Sequence, residues 1–267
     1  MDPRIYAGKA TDLRTTLALF GKPLTAELIR KAYEFFLQLF TELGYPANVA
    51  GLCVLKPKGR THGHYRRLTR AVEGVIQRDN IAHVELAYAP PPETDVTDFG
   101  WLSASFGDDG CFIFKCRKSI LDLGDQRVLN VLTFVADLMA PAYGYGYLLD
   151  NYFGPGFHAV GIGCRRGGKD GLLPGLPDSE RERNARWSNR RETALPAGIL
   201  RDVFPLNYLT EIHAAKRIDG KPLFDWIAAS PSHGTLKPLR EGAWLWTVPE
   251  ESCLAIGDEF KAAGLLI

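Results

Sequence analysis

The chain has 267 residues, of which 46% are hydrophobic and 24% are charged, and its formal net charge is +1 at pH 7. This composition excludes an intrinsically disordered chain and is sufficient to bury a large core, in one domain or in two smaller lobes. The near-neutral total argues against a protein that binds nucleic acid through an excess of basic residues. No run approaches 18 apolar residues, so no membrane-spanning helix is predicted.

The N-terminal sequence and the cysteines predict a cytoplasmic protein. The first residues contain no long apolar run after a basic start, so we expect no signal peptide and no membrane anchor. The cysteines are odd in number and scattered, which favours reduced thiols over a disulfide framework or a zinc site. They are Cys53, Cys111, Cys116, Cys164 and Cys253.

Local signals in the first half of the chain predict a series of helices and strands. Thr25 can cap a helix whose apolar residues recur at helical spacing until Gly44. Further along, the patterns predict a strand over 50–55, a helix over 65–78, a strand over 81–89 and a helix over 125–139 that ends before Pro141. The strongest hairpin signal is the turn sequence Gly107-Asp108-Asp109-Gly110 between two apolar segments.

Signals in the second half are weaker. We expect strands over 142–149, 158–163 and 244–247, and one or two helical turns over 223–229. Residues 164–178 are rich in Gly and Pro and predict a loop, and residues 179–192 predict an exposed, highly charged helix. The last helix is predicted to begin with a capping box formed by Thr247 and Glu250 and to end at Gly264.

These elements predict the α+β class, with antiparallel sheets and packed helices. We expect residues 1–267 to form a single domain. A division into two similar lobes that meet near residue 140 stays open as an alternative.

Charge is unevenly distributed along the sequence. From Asp79 to Asp109 there are seven acidic residues and no Lys or Arg, with Pro90-Pro91-Pro92 in the middle. We call this stretch the acidic block; its carboxylates are Asp79, Glu85, Glu93, Asp95, Asp98, Asp108 and Asp109. The preceding stretch, Lys56 to Arg78, carries seven basic residues and one acid, and we call it the basic segment. The acidic block could steer a basic partner into contact, or the two stretches could lie side by side and neutralise each other.

No catalytic or cofactor motif is recognisable. The glycine-rich stretch 161–169 matches neither a dinucleotide fingerprint nor a P-loop, so a surface loop is the simpler interpretation. His62 and His64 lack a nearby third ligand and lie among cations, so we expect no metal. Neither a serine nucleophile elbow nor a cysteine in a recognised protease context is present. We therefore expect no catalytic residues, no cofactor and no metal.

Three tyrosines alternate with glycines at Tyr143, Tyr145 and Tyr147. On a strand they would share one face, with close backbone approach at the glycines between them. Two interpretations are open: a buried layer with each hydroxyl satisfied, which we favour, or an exposed interface.

Several strings resemble the Immunity protein 52 family of bacterial polymorphic-toxin systems. They are residues 140–147 (APAYGYGY), 203–210 (VFPLNYLT), 225–227 (DWI), 234–236 (GTL) and 245–249 (LWTVP). The resemblance covers roughly residues 45–265. It implies a cytoplasmic immunity protein whose neighbouring gene encodes a toxin with a restriction-endonuclease-like domain, often delivered by type VI secretion. It supplies no residue-level binding motif.

The charge pattern and the resemblance together predict an inhibitor that binds a nuclease toxin stoichiometrically, without chemistry. A DNase surface must be basic to hold DNA, so an acidic surface can imitate phosphates or block the cleft. The expected toxin-binding residues are Glu93, Asp95, Asp98, Asp108 and Asp109. We expect no nucleic-acid or membrane partner, and the oligomeric state is open. The alternative is an enzyme with an active site between two lobes, acting on a toxin product or a small molecule.

Overall fold

The computed structural model describes residues 12–65, 68, 70–90, 101–151, 154–161 and 178–267. In chain order the strands are β1 (Leu13–Phe20), β2 (Val49–Lys56), β3 (Gly59–Tyr65), β4 (Ile81–Tyr88), β5 (Leu102–Gly107), β6 (Cys111–Arg117), β7 (Tyr143–Asp150), β8 (Leu206–Thr210), β9 (Arg217–Ile218), β10 (Lys221–Pro222), β11 (Thr235–Arg240) and β12 (Ala243–Thr247). The helices are α1 (Ala26–Glu42), α2 (Arg70–Ile76), α3 (Gln126–Met139), α4 (Pro155–Ala159), α5 (Asp178–Ala194), α6 (Glu211–Ala214), α7 (Leu223–Ala228) and α8 (Cys253–Ala262).

The chain forms two compact units. The central unit is Phe20–Pro141, and the terminal unit combines the described residues of Met1–Leu19 with those of Ala142–Ile267. Each unit contains helices and antiparallel strand pairs, which confirms the predicted α+β class.

In the central unit the strand order is β6-β5-β4-β2-β3, and its core is aromatic. The ring centroid of Phe36 on α1 lies 5.7 Å from that of Phe106 on β5 and 5.5 Å from that of Phe112 on β6. Its neighbour Phe35 stacks on Phe134 of α3 at 3.8 Å. The apolar stripes predicted from helical spacing thus pack α1 and α3 into one core.

In this unit, helix α1 and the β5–β6 hairpin were predicted correctly, because the residues that start, end or turn each of them lie within one short segment. The Thr25 hydroxyl accepts a hydrogen bond from the Leu28 N–H at 3.4 Å, and Gly44 follows the helix with φ +80°, as predicted. The β5–β6 hairpin is also confirmed. Its last turn residue, Gly110, has φ +66°, and a Cβ there would lie 2.4 Å from the Gly21 carbonyl oxygen, so only glycine fits.

In the terminal unit the strand order is β11-β12-β8-β7-β1. Trp246 of β12 stacks on Phe260 of α8 at 5.3 Å, and Trp226 of α7 contacts the same ring at 5.6 Å. On β7, a Cβ at Gly144 would lie 2.9 Å from the Ala18 carbonyl oxygen of β1. Close backbone approach therefore explains this glycine of the tyrosine–glycine alternation.

Several predictions of secondary structure were wrong. The segment predicted as a strand from residue 158 begins within helix α4, and the helix predicted over 65–78 is the shorter α2. No capping box opens the last helix: a 3₁₀ turn at Glu250–Ser252 precedes α8, because the chain first tightens after Pro249. Strand β1 was missed, since its buried residues include Arg14, Thr15 and Thr16 and so hide the apolar pattern.

Candidate functional site

Two of the predicted toxin-binding residues lie in the turn between β5 and β6. The Asp108 carboxylate contacts the Arg60 guanidinium of β3 at 3.1 Å, and its side chain is 23% exposed. Asp109 is exposed, and its Oδ1 accepts a hydrogen bond from the Cys111 backbone N–H at 3.2 Å. The turn therefore presents one paired carboxylate and one carboxylate that faces solvent while shaping the turn.

The other three, Glu93, Asp95 and Asp98, lie outside the described residues. Because Arg60 belongs to the basic segment, the interpretation in which the two charged stretches neutralise each other applies to Asp108. A second acid of the block, Asp79, is fully exposed and lies 3.8 Å from Arg30 of α1, at the outer limit of an ion pair.

Near the turn, His83 of β4 is a titratable residue that sequence reasoning did not single out. Its Nε2 lies 2.9 Å from the Ser105 hydroxyl of β5. Burial lowers the pKa of His83, although the carboxylates of Asp109, Glu85 and Asp108 act in the opposite direction. The imidazole is therefore neutral at pH 7, and this surface takes its charge from the carboxylates and Arg60.

The tyrosines of β7 are buried, as we favoured from the sequence, and the exposed-interface alternative is wrong. Tyr145 donates its hydroxyl hydrogen bond to the Ala159 carbonyl at 2.6 Å, and Tyr147 donates to the Pro155 carbonyl at 2.7 Å. Tyr143 donates to the Asp202 carbonyl at 3.2 Å. Each phenol hydroxyl thus has a backbone acceptor, which removes the cost of burying it.

Helix α5 is not fully exposed, contrary to prediction. Glu180, Asn184 and Trp187 recur at spacings of four and three residues, and their side chains are 2%, 1% and 0% exposed. They form one buried helical face. Hydropathy gave no signal for it because two of its three members are polar, and the only hint was the lone tryptophan in a charged stretch.

A buried arginine binds this face of α5. Arg201 donates through Nη1 to the Tyr145 hydroxyl at 2.9 Å and to the His158 carbonyl at 2.7 Å. Through Nη2 it donates to the Asn184 side-chain carbonyl. We call Tyr145, His158, Glu180, Asn184 and Arg201 the buried network; it joins β7, α4 and α5 to the segment before β8.

The network holds a histidine–carboxylate pair. His158 Nε2 lies 2.9 Å from Glu180 Oε1. Burial, followed by the charge of Arg201, lowers the pKa of His158 to about 4. Burial acts to raise the pKa of Glu180, but the hydrogen bond with His158 and the nearby arginines, Arg183 and Arg201, bring it down to about 2. At neutral pH the pair is therefore a neutral imidazole beside an ionised carboxylate.

At the rim of the network, Arg183 pairs with Asp202 and lies 3.8 Å from Glu180. The Asp202 carboxylate also accepts a hydrogen bond from the Val203 N–H at 2.9 Å. Each ionised group here has an oppositely charged or hydrogen-bonding partner, as buried charges require. A histidine and a carboxylate within hydrogen-bond reach could perform acid–base chemistry, but only where a substrate can touch them. Both side chains are buried.

The part of the chain that the structure describes contains no group of three or more His, Cys, Asp or Glu that could hold a metal ion. Its four cysteines are buried, and His62 lies 3.8 Å from the Cys53 sulfur across the β2–β3 pair. Within the same residues no helix is long and apolar enough to cross a membrane.

Comparison with solved structures finds a protein with a similar fold. No family model and no curated protein matches the chain, so the resemblance to the Immunity protein 52 family has no support from those two comparisons. Among solved structures, a T6SS protein of Pseudomonas aeruginosa, PA0821, is similar with a TM-score of 0.51 and 13% sequence identity. The match covers 96% of this chain and 73% of that protein. The chain therefore has a fold like that of a protein of the type VI secretion system.

Proposed function

We propose that this protein is a cytoplasmic immunity protein that neutralises a nuclease effector of a type VI secretion system by direct one-to-one binding. The observation that carries the proposal is the fold likeness to a T6SS protein over 96% of the chain. The motifs that resemble the Immunity protein 52 family point to the same biological setting.

The charge on the β5–β6 turn supports a basic partner. Asp109 is exposed, and Asp108 is held beside it by Arg60. The proline-flanked acids Glu93, Asp95 and Asp98 precede β5 in the sequence. A nuclease needs a cationic surface to hold DNA, so carboxylates on this hairpin are suited to steer and orient it.

The buried network supports a binding role over a catalytic one. The histidine–carboxylate pair of His158 and Glu180 has the hydrogen-bond distance of an acid–base pair, yet both side chains are buried. A substrate could not touch either side chain in this conformation. Their role in the proposal is to fix these elements, because paired and hydrogen-bonded buried charges tolerate little displacement.

The experiment is co-purification with the product of the adjacent toxin gene, followed by titration of its nuclease activity. A binder forms a one-to-one complex and abolishes DNA cleavage at one equivalent. An enzyme that acts on a toxin product protects well below one equivalent and forms no stable complex.

A further inference from the structure

Strand β3 is the last strand in the order of the central unit, and no described strand pairs with its outer side. It pairs antiparallel with β2 in unbroken register, from Ala50↔Tyr65 to Lys56↔Gly59. Residues 59–62 are exposed. Residues 59–62 therefore present a regular sheet edge to solvent, and such an edge is a template for pairing with another chain.

The hydrogen bonds of Leu55 identify which backbone groups face outward. The Leu55 N–H donates to the Asn80 carbonyl at 2.8 Å, and the Asn80 side-chain amide donates to the Leu55 carbonyl at 2.7 Å. Both backbone groups of Leu55 thus point away from β3. Its partner Arg60 is then in a non-hydrogen-bonded pair, so the N–H and C=O of Arg60 point outward. Because the direction of the backbone groups alternates along a strand, the N–H and C=O of His62 and of His64 also point outward.

The terminal unit ends in a strand of a different kind. Strand β11 contains Pro238 and a register shift between Pro238 and Arg240. Proline and bulges are devices by which proteins prevent an edge from pairing. Strand β3 contains no proline, and its pairing with β2 has no shift. Strands β3 and β11 therefore differ in whether they can pair with a further strand.

Charge selects the kind of strand that β3 can accept. Lys56 and Lys58 are exposed at the turn that connects β2 to β3, and Arg60 follows on β3. Arg60 is paired with Asp108, and the two lysines are exposed. This charge repels a second copy of the same edge and attracts an extended segment that carries carboxylates.

We propose that β3 binds an extended, acidic segment of a partner protein, which adds to the sheet as a further strand. This is recognition by strand addition, in which backbone hydrogen bonds supply affinity and side chains supply specificity. The inference deepens the proposed function and rests on it for the partner's identity. If the partner is a nuclease effector, its acidic segment lies outside the cationic surface with which the nuclease binds DNA.

The test uses fluorescein-labelled peptides of about ten residues in which Glu alternates with Thr and Val, a length typical of a long strand. A matched peptide carries Lys in place of Glu. Fluorescence anisotropy measures binding to the wild type, to His62→Pro and to His62→Ala. Proline removes an outward N–H without touching a bond to β2, whereas alanine removes only the side chain. We expect the wild type and His62→Ala to bind the acidic peptide, and His62→Pro to bind it at least about tenfold more weakly.

A folding control and a charge-reversal variant complete the test. Thermal melts establish whether His62→Pro is folded. The Lys56→Glu/Lys58→Glu variant does not depend on that result, and it should bind the basic peptide more tightly than the acidic peptide. Equal binding by folded His62→Pro and His62→Ala, or no binding of the acidic peptide by the wild type, would overturn the proposal. So would a wild-type dimer that His62→Pro converts to a monomer. The assay contains no nuclease, so its outcome is separate from the titration that tests the proposed function.

Discussion

Arg60 and Asp108 form an ion pair at 3.1 Å that joins the basic segment to the acidic block. The pair ties β3 to the β5–β6 turn, and it leaves Asp109 as the exposed carboxylate of that turn. Removing the Asp108 charge would therefore free Arg60 as well as remove an acid, so the acids of the block are not equivalent in any mutational test.

Reversal of Asp95, Asp98 and Asp109 to lysine should weaken binding to the cognate nuclease, with a larger effect at low salt, because rim charges act mainly on the association rate. Asp109→Asn is the matched control for the turn, since an amide oxygen can still accept the hydrogen bond from Cys111. Binding at two ionic strengths, beside a thermal melt, makes the measurement. Unchanged affinity and salt dependence would show that the block is a solvated face.

Asp108→Lys should behave differently from that set. It places a cation against Arg60 on a largely buried side chain, and we expect a loss of roughly 1 kcal/mol in the free energy of unfolding. Urea denaturation beside Asp108→Asn, which removes the charge without reversing it, measures the effect. Equal stability of wild type and Asp108→Lys would mean that the ion pair contributes nothing.

The sequence predicted best where one short segment contains every signal. Helix α1 has its cap at Thr25 and its glycine stop at Gly44, and the β5–β6 hairpin has its turn residues between two apolar segments. Of the candidate site, the sequence placed Asp108 and Asp109 correctly in a turn, but it did not pair Asp108 with Arg60, a residue 48 positions away.

The buried network was not predictable for a related reason. Arg201, His158 and Glu180 come from three separate segments, and each is a polar residue that local hydropathy places at the surface. Only their mutual hydrogen bonds make burial favourable, and these depend on tertiary structure. For the tyrosines, alternation on a strand predicted that they share one face, but it did not decide between a buried and an exposed face.

Arg201→Ala should destabilise the protein by roughly 3–5 kcal/mol, because it leaves the buried acceptors of Tyr145, His158 and Asn184 without their charged donor. Arg190→Ala, an exposed arginine on α5, is the matched control and should change stability by less than about 0.5 kcal/mol. Chemical denaturation of both variants tests this. Similar stabilities would indicate that Arg201 is dispensable to the fold.

Tyr145→Phe isolates one hydroxyl of the network. The change removes the donor to Ala159 and the acceptor for Arg201, and we expect a loss of about 1–3 kcal/mol. Tyr88→Phe, at a half-buried position in the central unit, should cost clearly less. If the two variants melted at the same temperature, the hydroxyl of Tyr145 would have no special role.

Stability should decrease as the pH falls from about 6.5 towards 4. Burial lowers the pKa values of His158 and His213 to about 4, so in this window the unfolded state binds protons that the folded state does not. Each histidine contributes on the order of 3 kcal/mol at neutral pH, lost progressively across the window. Urea denaturation at several pH values measures the slope, and His213→Gln should reduce it by about one proton. A flat profile between pH 6.5 and 4.5 would contradict this.

One-to-one inhibition is tested by titrating the nuclease of the adjacent gene with this protein. DNA cleavage is followed at a nuclease concentration well above the dissociation constant, so that the break point reports stoichiometry. We expect a linear loss of activity that ends at one equivalent, and a complex of the same ratio by size-exclusion chromatography. Complete protection far below one equivalent, or full nuclease activity at a large excess of this protein, would contradict it.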